Sequence, residues 1–143
     1  MQLTRFTDLA LRVLIFTAAR GDRPTSIREI AAFHEVSTEH IRKVVHHLGR
    51  EGFLATRRGR DGGVTLALPP AQIRVGAVVR ACEPDLHLVE CFAGGEVACT
   101  IVGSCRLKRM LGEALESFLA TLDGHTLADI VDGIPTARLT VPA

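Results

Sequence analysis

The chain has 143 residues, of which 47% are hydrophobic, and this length and composition predict one domain with a buried core. It contains no Trp and no Tyr, which argues against a stacking surface for single-stranded nucleic acid, because such surfaces need exposed aromatic side chains. The formal net charge is only +1, so any basic binding surface must be local.

The first predicted helix spans residues 3–20 and is apolar almost all round from Leu9 onward, a pattern typical of a helix covered on two sides. Its stretch LALRVLIFTAA resembles the core of a signal peptide, but Asp8 precedes it and Arg12 interrupts it. Its 11 residues are also too few to span a bilayer, which needs about 20. We therefore expect a cytoplasmic protein with no membrane partner, in a compartment where thiols stay reduced.

Two more helices follow the first one. Ser26 and Glu29 form a capping-box pattern at the start of a short second helix. Ser37 can cap a third helix with the sequence TEHIRKVVHHLGREG, in which Gly52 favours a left-handed stop. The apolar positions of this third helix fall on one face: Ile41, Val44, Val45 and Leu48.

The stretches FLAT and VTLAL are predicted strands, and Asp61–Gly62 predicts the hairpin turn that joins them. Val64, Leu66 and Leu68 alternate toward one face of the second strand. Three helices followed by a hairpin are the order of a winged helix-turn-helix. The sequence thus predicts a mainly α fold with a small β-hairpin wing, in which residues 1–82 form a winged helix-turn-helix domain.

A fourth helix at about residues 74–81 leads into a segment, residues 83–105, that we call the cysteine segment. Beyond it, apolar residues recur at helical spacing over at least 16 residues: Leu107, Met110, Leu111, Ala114, Leu115, Phe118, Leu119 and Leu122. Because the preceding chain already supplies a core, this stripe predicts a dimerisation helix, and a homodimer suits DNA with two half-sites. Residues 106–132 hold this helix and a short terminal helix from Thr126, and residues 133–143 form an irregular tail.

Charge is polarised along the chain. Residues 38–60 carry six basic and two acidic residues, a net charge of +4, whereas residues 83–99 carry four acidic residues and no Lys or Arg, a net charge of −4. A basic helix that fits the major groove and a cationic wing favour binding to duplex DNA over a solvated helix face and an ordinary charged turn. The candidate DNA-contacting residues are Thr38, His40, Arg42, Lys43, His46, Arg57, Arg58 and Arg60.

Three of the four cysteines lie in the cysteine segment, with seven and five residues between them: Cys91, Cys99 and Cys105. Structural zinc sites usually take thiols in closer pairs, so this spacing favours an iron–sulfur cluster over zinc or unliganded thiols. A cluster normally has four protein ligands, and the residues alone leave the fourth open. The candidates are Cys82, His87, Glu90 and the remote Asp8. Cys82 follows an apolar run and is expected to be a buried core thiol.

Several stretches together carry a family resemblance: MQLTRFTDLALRVL, EGFLATRRGRDGGVTLAL, IRVGAVVRACEP, CRLKRML and SFLATLDGHTLADIV. To about Val131, the chain resembles the nitric-oxide-sensing iron–sulfur repressors of the winged-helix family that also contains the regulator IscR. The resemblance implies a dimeric repressor with one cluster in each subunit, held by Cys91, Cys99 and Cys105. It also implies that Asp8 supplies the fourth ligand across the dimer.

The chain departs from the pattern of this family at two positions. Proteins like IscR carry a histidine ligand three residues after the last cysteine, and Lys108 stands there in this chain. At Cys82 the relatives have no thiol, and this departure leaves an all-cysteine site open. A loop of 15 residues favours a [4Fe–4S] over a [2Fe–2S] cluster.

We therefore expect a cytoplasmic repressor of nitric-oxide-response genes, with double-stranded operator DNA as its partner and nitric oxide as its signal. The sequence contains no nucleophile–base arrangement and no phosphate-binding glycine loop, so we expect no enzyme activity. The alternatives are a regulator of cluster biogenesis or general redox state with the same fold, an electron carrier and a zinc-stabilised interaction module.

Overall fold

The computed structural model describes residues 2–57, 59, 62–94 and 98–135. The order of elements in these residues is the predicted one of a winged helix-turn-helix followed by a long helix. The helices are α1 (Arg5–Ala19), α2 (Ile27–Phe33), α3 (Thr38–Arg50), α4 (Val75–Cys82), α5 (Arg106–Asp123) and α6 (Leu127–Val131). The strands are β1 (Leu54–Arg57) and β2 (Gly63–Leu66), and short 3-10 turns lie at Pro70–Gln72 and Glu90–Phe92.

Helix α1 is the central helix of the fold. The side chain of Thr4 caps it by accepting a hydrogen bond from the Thr7 amide at 3.2 Å, so the helix begins at Arg5 and not at Leu3 as the sequence predicted. It packs against α3, α4, α6 and β2. The exposed residues along it are Arg5, Asp8 and Arg12. The prediction of a helix covered on two sides is confirmed, and the chain itself supplies the cover.

The helix-turn-helix forms through local capping, as its sequence predicted. Both halves of the capping box between Ser26 and Glu29 are present at the start of α2. The hydroxyl of Ser37 accepts a hydrogen bond from the His40 amide at 3.3 Å and begins α3. All four residues of the predicted apolar face of α3 are buried. Glu35, in the turn between α2 and α3, has a φ of 53°, a left-handed conformation that side chains other than glycine adopt at a cost.

The wing is an antiparallel pair in which Leu54 lies opposite Leu66. Val64 on β2 exchanges two backbone hydrogen bonds with Thr25, at 2.8 and 3.0 Å, and this bridge holds the hairpin against the chain before α2. Each strand begins one residue away from its predicted start. Leu68 lies beyond β2 and is 40% exposed, so the prediction that it shares the packed face of Val64 is wrong. Asp61, in the predicted turn, lies outside the described residues.

The C-terminal half of the chain packs against the same hydrophobic core as α1. The amide of Leu127 on α6 donates to the Ile73 carbonyl at 2.8 Å, and the Leu127 side chain is 2% exposed in the same hydrophobic cluster as α1. At the end of α5, Asp123 accepts two hydrogen bonds from Arg80 on α4, at 2.6 and 2.7 Å. These hydrogen bonds lower the pKa of the Asp123 carboxyl.

Helix α5 packs on α4, but none of its 18 residues is buried. Leu107 and Met110, at the start of its apolar stripe, are 60% and 63% exposed. The start of the stripe is therefore uncovered by its own chain, whereas Leu111, Leu115 and Phe118 are half-buried. No helix in the described part of the chain is long and apolar enough to cross a membrane.

Candidate DNA-binding surface and cysteine segment

The outward face of α3 carries the predicted polar residues. The residues of this set, all exposed, are Thr38, His40, Arg42, Lys43 and His46. The opposite face packs on the core, so the polar face is directed away from the core. A helix of this kind is 10–12 Å wide, about the width of the DNA major groove.

A shallow cleft of about 440 Å³ brings α3 and the wing together. Its lining comes from the start of α2, the start of α3 and both strands: Ser26, Ile27, Arg28, Thr38, Arg42, Thr56, Arg57, Gly63 and Val64. The predicted residues Thr38, Arg42 and Arg57 therefore share one surface. Arg58 and Arg60 lie outside the described residues.

The structure adds two basic residues that the sequence analysis missed. Arg28, exposed in the first turn of α2, lines the cleft beside Arg42. Arg5, at the start of α1, lines a second cleft of about 180 Å³ with His40 and Lys43. The capping box at Ser26 could have placed Arg28 at the front of α2, but the position of α2 beside the wing depends on tertiary packing.

Arg42 is paired with Glu39 one turn earlier on α3, and both side chains are exposed. Glu39 is the one acidic residue of α3. Exposed ion pairs contribute only about 0–1 kcal/mol, so a phosphate or a base edge can compete with Glu39 for the guanidinium. The pair keeps Arg42 directed along the helix.

The three cysteines of the cysteine segment lie in different local structures. Cys91 is half-buried in the 3-10 turn Glu90–Phe92, and Cys99 is exposed. Cys105 is half-buried and caps α5, where its sulfur accepts a hydrogen bond from the Lys108 amide at 3.4 Å. All four cysteines of the chain are free thiols.

The donor set fits an iron–sulfur cluster in its chemistry, because such clusters are held by cysteine thiolates and respond to hydrogen bonds at the ligand sulfur. Among residues 2–57, 59, 62–94 and 98–135, no three His, Cys, Asp or Glu side chains lie close enough together to hold a metal ion. The ligand assignment of Cys91, Cys99 and Cys105 therefore stays a prediction.

The candidates for the fourth ligand differ in exposure. Asp8 lies in the first turn of α1, half exposed, with an oxygen 3.0 Å from Nε of Arg12. His87 lies beside Asp85, and Glu90 is exposed. Cys82 is 7% exposed in the core, and burial raises the pKa of its thiol to about 11, with Glu51 and Glu83 adding to the effect. The prediction of a buried core thiol at Cys82 is confirmed.

The matching family and the similar proteins are all transcriptional regulators. Residues 3–133 match the Rrf2 family, described as iron-dependent transcriptional regulators. The chain is 49% identical over 139 residues to the HTH-type transcriptional regulator NsrR of Geobacillus kaustophilus, covering 96% of this chain and 95% of that protein. It is 46% identical to NsrR of Bacillus subtilis over 132 residues, covering 92% of this chain and 90% of the relative.

Solved structures agree with the fold. CymR, the global cysteine regulator of B. subtilis, superposes with a TM-score of 0.76 at 24% identity, covering 94% of this chain and 99% of CymR. IscR of T. potens superposes with a TM-score of 0.73 at 22% identity, covering 98% of this chain and 93% of IscR. At these identities the likeness establishes the winged-helix fold alone.

The position of Arg28 in the cleft predicts a phosphate contact that substitution can test. We expect Arg28→Ala to weaken binding to operator and to unrelated duplex by the same factor, because a phosphate contact carries no base preference. The slope of log affinity against log salt concentration should fall by about 0.9 for each lost phosphate contact. Fluorescence anisotropy over a salt series measures both quantities. Arg109→Ala on α5 is the matched control. An unchanged slope for Arg28→Ala would show that Arg28 makes no phosphate contact.

Proposed function

This chain belongs to the Rrf2 family of transcriptional regulators, and we propose that it is a repressor that senses nitric oxide through an iron–sulfur cluster. As a member of this family it is a transcriptional regulator and not an enzyme, as the sequence predicted. One observation carries the proposal: three free cysteines lie between the domain with the exposed basic helix and the helix with the partly exposed apolar stripe. The resemblance of the sequence to nitric-oxide-sensing repressors supports nitric oxide as the signal.

Duplex operator DNA is the proposed partner of the surface around α3. We assign Thr38, Arg42 and Lys43 to base edges in the major groove, and Arg28 and Arg57 to phosphates on either side. His40 and His46 extend the same face of α3. Arg58 and Arg60 complete the charge of the wing. Phosphate contacts of this kind supply affinity for any duplex, whereas the contacts from α3 supply the preference for one sequence.

A second copy of this chain is the proposed partner of α5. A groove of about 600 Å³ runs beside the helix, and its apolar lining comes from three parts of the chain: Leu3, Leu86, Leu88, Leu111, Leu115 and Phe118. The exposed stripe of α5 continues from this groove. A twofold dimer through this surface would give two copies of α3, the proposed recognition helix. These must stand about 34 Å apart to fit successive turns of one DNA face.

Cys91, Cys99 and Cys105 are the proposed cluster ligands in each subunit, with Asp8 of the partner subunit as the fourth. When bound, the cluster would supply iron that can react with nitric oxide, and we favour [4Fe–4S] over [2Fe–2S]. Asp8 suits this role because it is exposed on a helix that packs directly against α3. The ligand set would therefore connect the cysteine segment of one subunit to the DNA-binding domain of the other. A cytoplasmic location, where thiols stay reduced, is part of the same proposal.

The stripe on α5 makes dimerisation testable by charge insertion. Leu115→Glu would bury a carboxylate in the apolar interface, where an unpaired charge costs several kcal/mol. We expect a monomer in sedimentation velocity, with the helical fold retained in circular dichroism. Glu116→Gln, on the exposed side of the same helix, should stay dimeric. A stable dimer of Leu115→Glu would mean that α5 packs only within its own subunit.

The cysteine assignment is tested by four identical substitutions. Cys91→Ala, Cys99→Ala and Cys105→Ala should each lose the visible absorption of the cluster when purified without oxygen, and should lose preferential operator binding. Cys82→Ala is the matched control, since it removes a buried thiol, and it should keep both. Iron and zinc content measured on the same samples separates the rival metals. Colourless wild-type protein that contains zinc would contradict the cluster.

A further inference from the structure

The last turn of α4 contacts the recognition helix at the point where the chain enters the cysteine segment. Nε2 of His47 on α3 lies 2.8 Å from the carbonyl oxygen of Ala81 on α4. The last carbonyls of a helix have no partner within that helix, so Ala81 depends on a partner from outside. A carbonyl oxygen can only accept, and Nε2 of His47 is therefore the donor.

Helix α1 holds His47 in this orientation. The ring of Phe6 meets the imidazole edge to face, with centroids 5.2 Å apart and planes at 82°. His47 is half-buried as a result, whereas its neighbour His46 is exposed. Among the described residues, the contact of His47 with Ala81 is the one side-chain hydrogen bond between α3 and α4.

Glu83 fixes the other side of the same junction. Its carboxylate accepts hydrogen bonds from the amide of Thr4 at 2.8 Å and from the Thr4 hydroxyl at 3.2 Å. Thr4 is the cap of α1, and Glu83 is the first residue of the cysteine segment, eight positions before Cys91. The point where the segment leaves the domain is thus bonded to the start of α1 and, through Ala81, to α3.

We propose that His47 is a positioning residue that couples the cysteine segment to the recognition helix through its hydrogen bond to Ala81. The inference rests on the proposed function, because it concerns how the state of that segment changes DNA binding. It assigns no DNA contact and no metal contact to His47. The residue acts on the orientation of α3.

Because of the length of α3, a small tilt of the helix is enough to disturb the proposed contacts with bases. Thr38 lies nine residues before His47, a distance of about 14 Å along a helix axis. A tilt of α3 by about 5° around His47 moves Thr38 by about 1 Å, given the rise of about 1.5 Å per residue. Hydrogen bonds to base edges tolerate less than this, since their lengths lie between about 2.7 and 3.2 Å.

Three substitutions of His47 separate its hydrogen bond from its bulk. His47→Leu keeps an apolar contact for Phe6 and removes the donor. His47→Asn stays polar, but its amide ends near the position of Nδ1 and does not reach Ala81. His47→Gln places an amide near the position of Nε2 and serves as the conservative rescue. His125→Leu, at an exposed histidine after α5, is the matched control.

The measured quantity is the ratio of operator affinities with and without the cluster, at one salt concentration, together with the affinity for unrelated duplex. We expect His47→Leu and His47→Asn to lower the ratio by roughly 3- to 10-fold, with unchanged cluster absorption and unchanged binding to unrelated duplex. His47→Gln and His125→Leu should stay near the wild-type ratio. Hydrogen exchange gives a second readout, since cluster loading should slow exchange of the α3 amides in the wild type and not in His47→Leu.

A wild-type ratio in both His47→Leu and His47→Asn would overturn the inference. An equal loss of affinity in the loaded and cluster-free forms would also overturn it, because that result indicates damage to the fold alone. If the wild type itself binds operator equally in both forms, the proposed function fails, and the coupling role fails with it. The wild-type measurement and the variant measurements thus distinguish the two failures.

Discussion

Helix α1 is buried by α3, α4, α6 and β2, and the functional elements take their positions from this packing. Val13 and Leu14 have no exposed surface, and burial of each such side chain stabilises a fold by about 1.5–3 kcal/mol. The uncovered side of the same helix presents Asp8 and Arg12. One helix therefore belongs to the core of the DNA-binding domain and to the surface proposed to meet the cysteine segment of the partner subunit.

Two parts of the chain carry opposite charge. The basic residues lie on α3, at the start of α2 and on the wing, whereas residues 83–99 carry a net charge of −4. By the proposal, DNA phosphates would attract the basic residues and repel the acidic residues of the cysteine segment. If the cysteine segment makes no contact with DNA, its state would reach α3 through the protein.

Local features were predictable from the sequence, and the features that depend on tertiary contacts were not. The caps at Ser26, Ser37 and Thr126 form as their spacing predicts, because each is satisfied within four residues. Leu68 follows the alternation of β2 but lies beyond the strand, since the pairing ends with Leu66 opposite Leu54. The roles of Arg28 and His47 arise from neighbours that are remote in sequence. The proposed ligand set includes Asp8 of the partner subunit, which the sequence of one chain does not place beside the cysteines.

The central claim is that the state of the cysteine segment sets the orientation of the recognition helices in the dimer. Its most direct test is the operator affinity of one preparation in three states, cluster-loaded, cluster-free and exposed to nitric oxide, without oxygen and at one salt concentration. We expect the loaded form to bind operator roughly 5- to 150-fold more tightly than the other two, with equal affinity for unrelated duplex in all three. Equal operator affinities in the three states would contradict the claim.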